Sequence, residues 1–560
     1  MAACQGYQVY AGQRGQAATH GIVILCWALL LKHLYGWSYR RTSQEIGTNT
    51  LARWFVGYRL DQKTLSYVTL QRFAVWVCEQ QPRLLFNTIL AQIDADFPVA
   101  ATQAQVGDTF ALLAHGAPQS RTALLRDACR RLLAYGQQIQ ALGLSAVLGA
   151  LDQAALFGAA HERPEYQLLK PERDALEVRT ALGADACLRL VTACVQCVPH
   201  ARSIEWLALE KWLGILTKVL GDEFVFGRNA AGVAETVRPC TTQERGHFVL
   251  GSTLDPDATF RKHGDHNDLG YNVQVAATAD FVREIFAQTG ATPDQTGVAL
   301  LIEHQLEHLG LVPPKLIYDR AAGSPKIFHD VAQASDGQTQ LVARLIDHSK
   351  NSERFGPLDF TLNEDGSLTC PNGQTTHIFY RSQSADGYNY RFAAAQCQDC
   401  PLWAHCRGKT EEVPAPNATS AGNDPTLTIA TVPTPTTDPA PSAATPKTKP
   451  HKTPKATAYR QACTERSRSV FISHYRERQR TALLYTQTAS FKLDMRFRST
   501  IERIIAALVR YNDARQAHSL GLAKADFQVR MAATAYNLKK WLKLTLDKEK
   551  PIRFQPPDTT

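Results

Sequence analysis

Three carboxylates are set where charge is expensive unless it has work to do. Asp108 lies in "QVGDTFALL" (105–113), where Val106, Asp108 and Phe110 alternate onto one face of an expected strand. Asp319 closes an apolar run in "LIYDRAAGS" (316–324), a place where Asp is ordinarily a turn former or a helix cap. Glu502 falls in "RSTIERI", within a segment whose Ile501, Ile504, Ile505 and Leu508 share one helical face. Two strands and a helix can bring three such groups within a few ångströms of one another. They would not stay ionised there without cations, and two Mg²⁺ ions about 3.5–4 Å apart would satisfy them. One ion would activate the attacking oxygen and the other stabilise the leaving oxygen of an in-line phosphoryl displacement. The pattern permits this grouping without requiring it.

Thiols form the second constellation. Cys370 precedes Cys397-x2-Cys400-x5-Cys406, and a C-x2-C knuckle with two more thiols is a candidate tetrahedral Zn²⁺ site, free thiols being the alternative. "CVQC" (Cys194–Cys197) has the same spacing inside a helical run, which favours buried thiols. "HQLEH" (His304–His308) matches the H-x-x-E-H pattern of inverted zinc peptidases. Its helix is rich in Glu and Gln and offers no further ligand, which favours a solvated face.

The elements that must position these groups are legible in outline. "GIVILCWALLL" (Gly21–Leu31) is too short to span a bilayer and reads as a buried helix, so no membrane is expected. More helices follow, with a Ser near the start of "SYRRTSQEI" and Asp61 placed as the N-cap of "LDQKTLSYVTLQRFAVWV". Arg40, Arg41, Arg53 and Arg59 surround their turns, as in a helix-turn-helix module or a small bundle without DNA. Residues 119–245 read as a helical insertion. "GYNVQVAATADFVREIF" (Gly270–Phe286) reads as a hairpin turning near Ala279-Asp280, followed by a helix ending at Gly310, and "TQLVARLI" as one more strand. The alternation of strands and helices assigns the α/β class. Residues 409–460, rich in Pro, Thr, Ala and Lys, read as a disordered linker. "ACTERSRSV" (Ala462–Val470) is polar and reads as irregular.

Charge divides unevenly. Residues 1–90 carry nine Lys and Arg against three Asp and Glu, and residues 451–560 carry 22 against nine. Ends of +6 and +13 in a chain of net +9 leave 91–450 at −10. Basic flanks around an acidic middle fit a polyanion held by the ends and cations held at the centre, although solvated surface lysines give the same sums. Thirteen cysteines in 560 residues do not form a disulfide framework, and the first residues lack the charged start of a signal peptide, so a reducing cytoplasm is expected.

Asp108 in "VGDT", Asp319 in "LIYDRAAGS" and Glu502 in "RSTIER" resemble the Asp-Asp-Glu triad of bacterial insertion-sequence transposases. "DPDATFRKHGDHNDLGYNVQ" and "DARQAHSLGLAKADFQVRMAATAYNLKKW" also resemble that family, over about 20–410 and 470–545 in all. Related members read Tyr-x2-Arg-x3-Glu-x6-Lys around the Glu. Here Arg498 and Glu502 match, Met495 and Val509 stand at the outer positions, and Arg510 follows.

The resemblance implies an RNase H-like catalytic core (246–350, with its first strand at 100–118 and its Glu helices at 470–545). It also implies a helical N-terminal DNA-binding domain (18–95) and a cysteine-rich insertion (351–408). Asp108, Asp319 and Glu502 would hold two Mg²⁺ ions, and Arg40, Arg41, Arg498, Arg510, Lys539 and Lys540 would contact DNA. The expected partner is double-stranded DNA with terminal inverted repeats, bound by a homodimer and cut in a Mg²⁺-dependent reaction with strand transfer. A catalytically inactive DNA-binding relic is the alternative.

Overall fold

In the computed structural model the described residues are 6–7, 19–159, 161–199, 203–246, 248–263, 266–345, 354–383, 385–407 and 467–549. The segment 409–460 read as a linker lies outside them. The chain divides into one unit of residues 1–346 and 482–560 and a second of 347–481.

The first unit begins with helices α1 (Ile22–Tyr35), α2 (Tyr39–Thr48), α3 (Thr50–Val56), α4 (Tyr67–Gln80) and α5 (Leu84–Asp96). Ser38 caps α2, its side chain accepting from the Arg41 N–H, and Asn49 caps α3. Asp61 does not cap α4. Residues 60–66 stay outside the helix, and Ser66 accepts from the Thr69 N–H instead. No single helix among the described residues is long and apolar enough to cross a membrane.

Strand β1 (Gln105–Leu113) leads into the helical insertion: α6 (Arg121–Gln138), α7 (Lys170–Gln196) and α8 (Ile204–Glu223). Leu125, Leu132, Val191, Leu209 and Leu216 meet in its own apolar core. The stretch 224–239, read as part of that helical run, is a hairpin of β2 (Phe224–Arg228) and β3 (Ala234–Pro239). Its β-branched and aromatic residues (Val225, Phe226, Val237) favour strand over helix. Cys194 is half-buried and Cys197, just past the end of α7, is exposed, so "CVQC" is not the buried pair its helical setting suggested.

The sheet follows. Strands β4 (Thr259–His263), β5 (His266–Ala277) and β6 (Val282–Thr289) precede helix α9 (Val298–Leu309), capped by Gly310 in the left-handed conformation. Then come β7 (Lys315–Ile317), α10 (Pro325–Ala334) and β8 (Gln340–Val342). Strand order is β4-β5-β1-β7-β8, with β6 also on β5. β5 is antiparallel to β1, while β7 runs parallel to β1 and β8 parallel to β7. Tyr271, Val273 and Val275 face the core as their alternation predicts.

Helices α11 (Arg476–Thr486), α12 (Ala489–Phe497), α13 (Ser499–Tyr511) and α14 (Leu522–Glu549) complete the chain. Ile501, Ile504 and Leu508 of α13 bury against the β1 residues Val106, Phe110 and Leu112. The edge strand β6 is closed by α14: Asn537 bonds both the N–H and the C=O of Val282, and Asp526 accepts from the Ala287 N–H. The segment "DPDATF" holds the other end of α14. Buried Asp255 accepts from the Tyr271 hydroxyl and the Gly521 N–H, and Asp257 accepts from the Leu522 N–H. Phe527 and Met531 of α14 enter the core of the N-terminal helices, so those helices share an apolar cluster with the C-terminus.

In the second unit β9 (Phe379–Arg381), β10 (Gly387–Phe392) and β11 (Arg468–Ser473) form an antiparallel sheet over Phe360, Leu368, Tyr390, Val470 and Ile472. The end of "ACTERSRSV", read as irregular, is therefore a strand. Val470 alternates with Ile472 toward that core, a pattern the polar residues before it obscure.

Candidate active site

The parallel register of β1 and β7 pairs Gln105 with Leu316 and Val106 with Ile317. Two residues further along, the same register sets Asp108 beside Asp319. The Tyr318 ring lies over Gly107, where a Cβ would come within 2.6 Å of a ring carbon. Glycine is required there by close approach, not by its backbone angles. The Tyr318 hydroxyl donates to Gln274 Oε1 (2.8 Å) on β5, which fixes the ring on the sheet face opposite Asp108.

Glu502 arrives from the other direction. The apolar face of α13 packs on the β1 face that carries Asp108, and Glu502 stands in the first turn of α13. Arg498 joins the groups: Nη1 is 3.3 Å from Asp108 Oδ2 and Nη2 is 3.4 Å from Glu502 Oε1. Asp319 Oδ1 accepts from the Ala321 N–H (2.9 Å) as the cap of a short 3-10 turn. Asp319 is thus a turn former by its hydrogen bond and a neighbour of Asp108 by its position.

Sequence reasoning missed a fourth carboxylate. Asp294 accepts from Asn272 Nδ2 (2.8 Å) and pairs with Arg261 (3.3 Å), whose Nη2 also donates to Thr109 Oγ1 (2.9 Å). Its setting, "TPDQT", is that of an ordinary helix start and gave no signal. Its charge is nevertheless felt. Burial raises the Asp108 carboxyl above its usual range, the Thr109 N–H and Arg498 draw it down, and Asp319 and Asp294 push it up. Burial, then Asp108, Asp294 and Asp319, likewise hold the Tyr318 hydroxyl well above its ordinary range. Three acids therefore act on one another, Glu502 joins them through Arg498, and Arg498 and Arg261 supply two cations.

The donor chemistry suits a hard divalent cation: carboxylate oxygens in negative excess, partly shielded from water. As placed, however, no group of three or more His, Cys, Asp or Glu among the described residues is arranged to hold a metal ion. At the acids the Arg498 guanidinium bridges Asp108 and Glu502.

The thiols fare differently. Cys370, Cys397 and Cys406 pack half-buried against the core of the second unit, and burial first, then Cys406, Cys400 and Cys370, raise the Cys397 thiol. The four are electrostatic neighbours without a metal-holding arrangement, so the zinc expectation gains no support.

The other expected contacts are distributed. Arg40 stacks on Tyr67 and Arg41 on Trp37, with Glu45 3.6 Å from Arg41. Lys539 donates to Asn512 Oδ1 (3.0 Å) and is lowered by burial, Lys540 pairs with Asp280 (2.8 Å), and Arg510 is exposed in the last turn of α13. His304 is half-buried, its Nδ1 3.7 Å from buried Glu284 and its ring against Phe286, while His308 is exposed beside exposed Glu307.

Comparison with known families now bears on these positions. A model described as "Transposase DDE domain" matches residues 447–542, and one described as "Transposase domain (DUF772)" matches residues 5–75. The two matches support a DDE transposase of the insertion-sequence type. Of the triad, the DDE match contains Glu502 together with Arg498, while Asp108 and Asp319 lie outside it and rest on the sheet register. The DUF772 match contains Arg40, Arg41 and helices α1 to α3. No curated protein and no solved structure matches the chain.

Proposed function

We propose that this protein is a DNA transposase that binds the ends of its element and catalyses Mg²⁺-dependent strand cleavage and strand transfer. The observation that carries the reading is the convergence of Asp108 on β1 and Asp319, two residues past the paired end of the parallel strand β7, with Glu502 of α13 linked to Asp108 through Arg498. A sheet with one antiparallel neighbour beside β1 and two parallel strands on its other side supports an RNase H-like core.

Asp108, Asp319 and Glu502 would hold two Mg²⁺ ions. Bound there, the metals supply the activated oxygen nucleophile and the charge stabilisation at the leaving oxygen. The chain's own residues do the rest. The β1–β7 register fixes two carboxylates on a rigid sheet, and the buried face of α13 fixes the third. Tyr318, packed on Gly107 and tied to Gln274, holds the backbone between β7 and Asp319 in place. Arg498 and Arg510, one at the start and one at the end of α13, would take phosphates. Arg40, Arg41, Lys539 and Lys540 would extend that contact along a duplex with terminal inverted repeats, bound by a homodimer in the cytoplasm.

The test is nicking of DNA carrying the element's ends, with and without Mg²⁺. Wild type is expected to cut only with the metal, and Glu502→Gln to bind the same DNA and leave it whole. DNA binding without any metal-dependent cutting by wild type would instead identify a catalytically inactive relic.

A further inference from the structure

The acidic site has a resident cation of its own. Arg498 reaches Asp108 at 3.3 Å and Glu502 at 3.4 Å, and its side chain is 26% exposed. Charge-assisted N–H···O bonds typically close to about 2.7–2.9 Å, so this bridge is loose. Elsewhere in the same unit guanidiniums do close: Arg83 on Glu284 at 2.5 and 2.9 Å, Arg283 on Asp94 at 2.5 and 3.0 Å. Arg498 divides one guanidinium between carboxylates on two elements, β1 and α13, and takes neither in a two-pronged grip.

We propose that Arg498 is an exchangeable counter-ion: it neutralises Asp108 and Glu502 until a divalent cation takes them, and the displaced guanidinium then turns to a DNA phosphate. Resting on the reading of Asp108, Asp319 and Glu502 as metal ligands, this assigns Arg498 a positioning role that precedes its contact with DNA. Metal and guanidinium seek the same oxygens, so they compete. By linkage, whatever weakens the Arg498 bridge tightens metal binding. Arg498 is four residues from Glu502 on α13, so a change of rotamer frees it without moving the helix.

The experiment measures Mn²⁺ binding to the full chain, without DNA, by electron paramagnetic resonance of the free ion. Arg498→Gln keeps much of the side-chain length and removes the charge. Two partly exposed ion pairs are lost, so binding about two- to thirtyfold tighter than wild type is expected. Arg510→Gln, about three turns further along α13, removes an equal charge that touches neither acid and is expected to change affinity less. Glu502→Gln should weaken binding. Circular dichroism of each variant establishes that it is folded.

Unchanged or weaker Mn²⁺ binding by Arg498→Gln, with Glu502→Gln still weakening it, overturns the exchange and leaves the metal-ligand reading standing. Equal tightening by Arg510→Gln overturns it as well, because the effect is then general charge. If folded wild type and Arg498→Gln both bind no Mn²⁺, the metal-ligand reading fails and the exchange with it.

Discussion

Two groups of charges lie in the same unit, one around Asp108 and one around Glu284, and they are built on opposite rules. Glu284 is fully buried on β6 and gripped by both prongs of Arg83. Arg283, 1% exposed, grips Asp94 in the same way, and Arg530 meets Asp526 at 2.8 Å. Each acid there has its own guanidinium. Burial alone would raise the Glu284 carboxyl, but His304 and Arg83 bring it below its ordinary range. Asp526, held by one arginine on its own helix, is still pushed up by burial. Around Asp108 three acids, Asp108, Glu502 and Asp294, share two arginines at 3.3–3.4 Å, and Asp319 adds a further negative charge. Balanced charges tie α5, α14 and the sheet edge together. Unbalanced charges are a standing demand for a cation, which is what marks a functional cluster.

The largest effect expected from this contrast is on the unbalanced side. Asp319→Asn should lower strand cleavage by orders of magnitude while DNA binding, resting on the basic flanks, persists. Combining it with Glu502→Gln should cost little more than either change alone, because residues that act as a unit are not additive. Cleavage and filter binding on one DNA decide this. Normal cutting by Asp319→Asn would reduce Asp319 to the turn former its Ala321 hydrogen bond also makes it.

On the balanced side the expected loss is of stability, not chemistry. Arg83→Ala strands a fully buried carboxylate, and removing one partner of a buried pair costs about 3–5 kcal/mol. Replacing both partners, Arg83→Met with Glu284→Leu, should recover most of that, since no charge is then left unpaired. Denaturant midpoints of the three proteins test it. If Arg83→Ala unfolds like wild type, the two clusters do not differ as described.

How much of this could be read from the chain depended on range. Local patterns were legible: the α13 stripe of Ile501, Ile504 and Leu508, the β5–β6 hairpin and the Gly310 cap each follow from spacing within one element. Asp108 stood out because it broke a strand's alternation. Asp319 and Glu502 needed the family resemblance, since the β1–β7 register that sets Asp319 beside Asp108 joins residues about two hundred apart, and nothing in either strand encodes it. Asp294 and Arg261 were illegible for the same reason. Each looks like an ordinary loop or strand-surface residue until Asn272 and Thr109 are placed beside them. The strand at Arg468–Ser473 escaped because its partner, β10, is remote in sequence.

The smallest effect concerns what the site costs the fold. The Asp108 carboxyl is held above its usual range chiefly by burial, so the folded chain binds a proton there more tightly than the unfolded chain does. Stability then falls as pH rises from the unfolded value through the folded one, because ionising Asp108 is harder in place than in solution. Asp108→Asn cannot ionise and avoids that loss. Against this, Arg498 gives up one of its two loose partners, a small term for a partly exposed pair. The melting temperature of Asp108→Asn should therefore match wild type at low pH, where both side chains are neutral, and exceed it at pH 7. Adding Mg²⁺ should narrow the difference at pH 7, because the metal binds only the wild-type acid well. A variant less stable than wild type at pH 7 would mean that Asp108 is adequately paired, and the asymmetry between the two clusters would reduce to geometry.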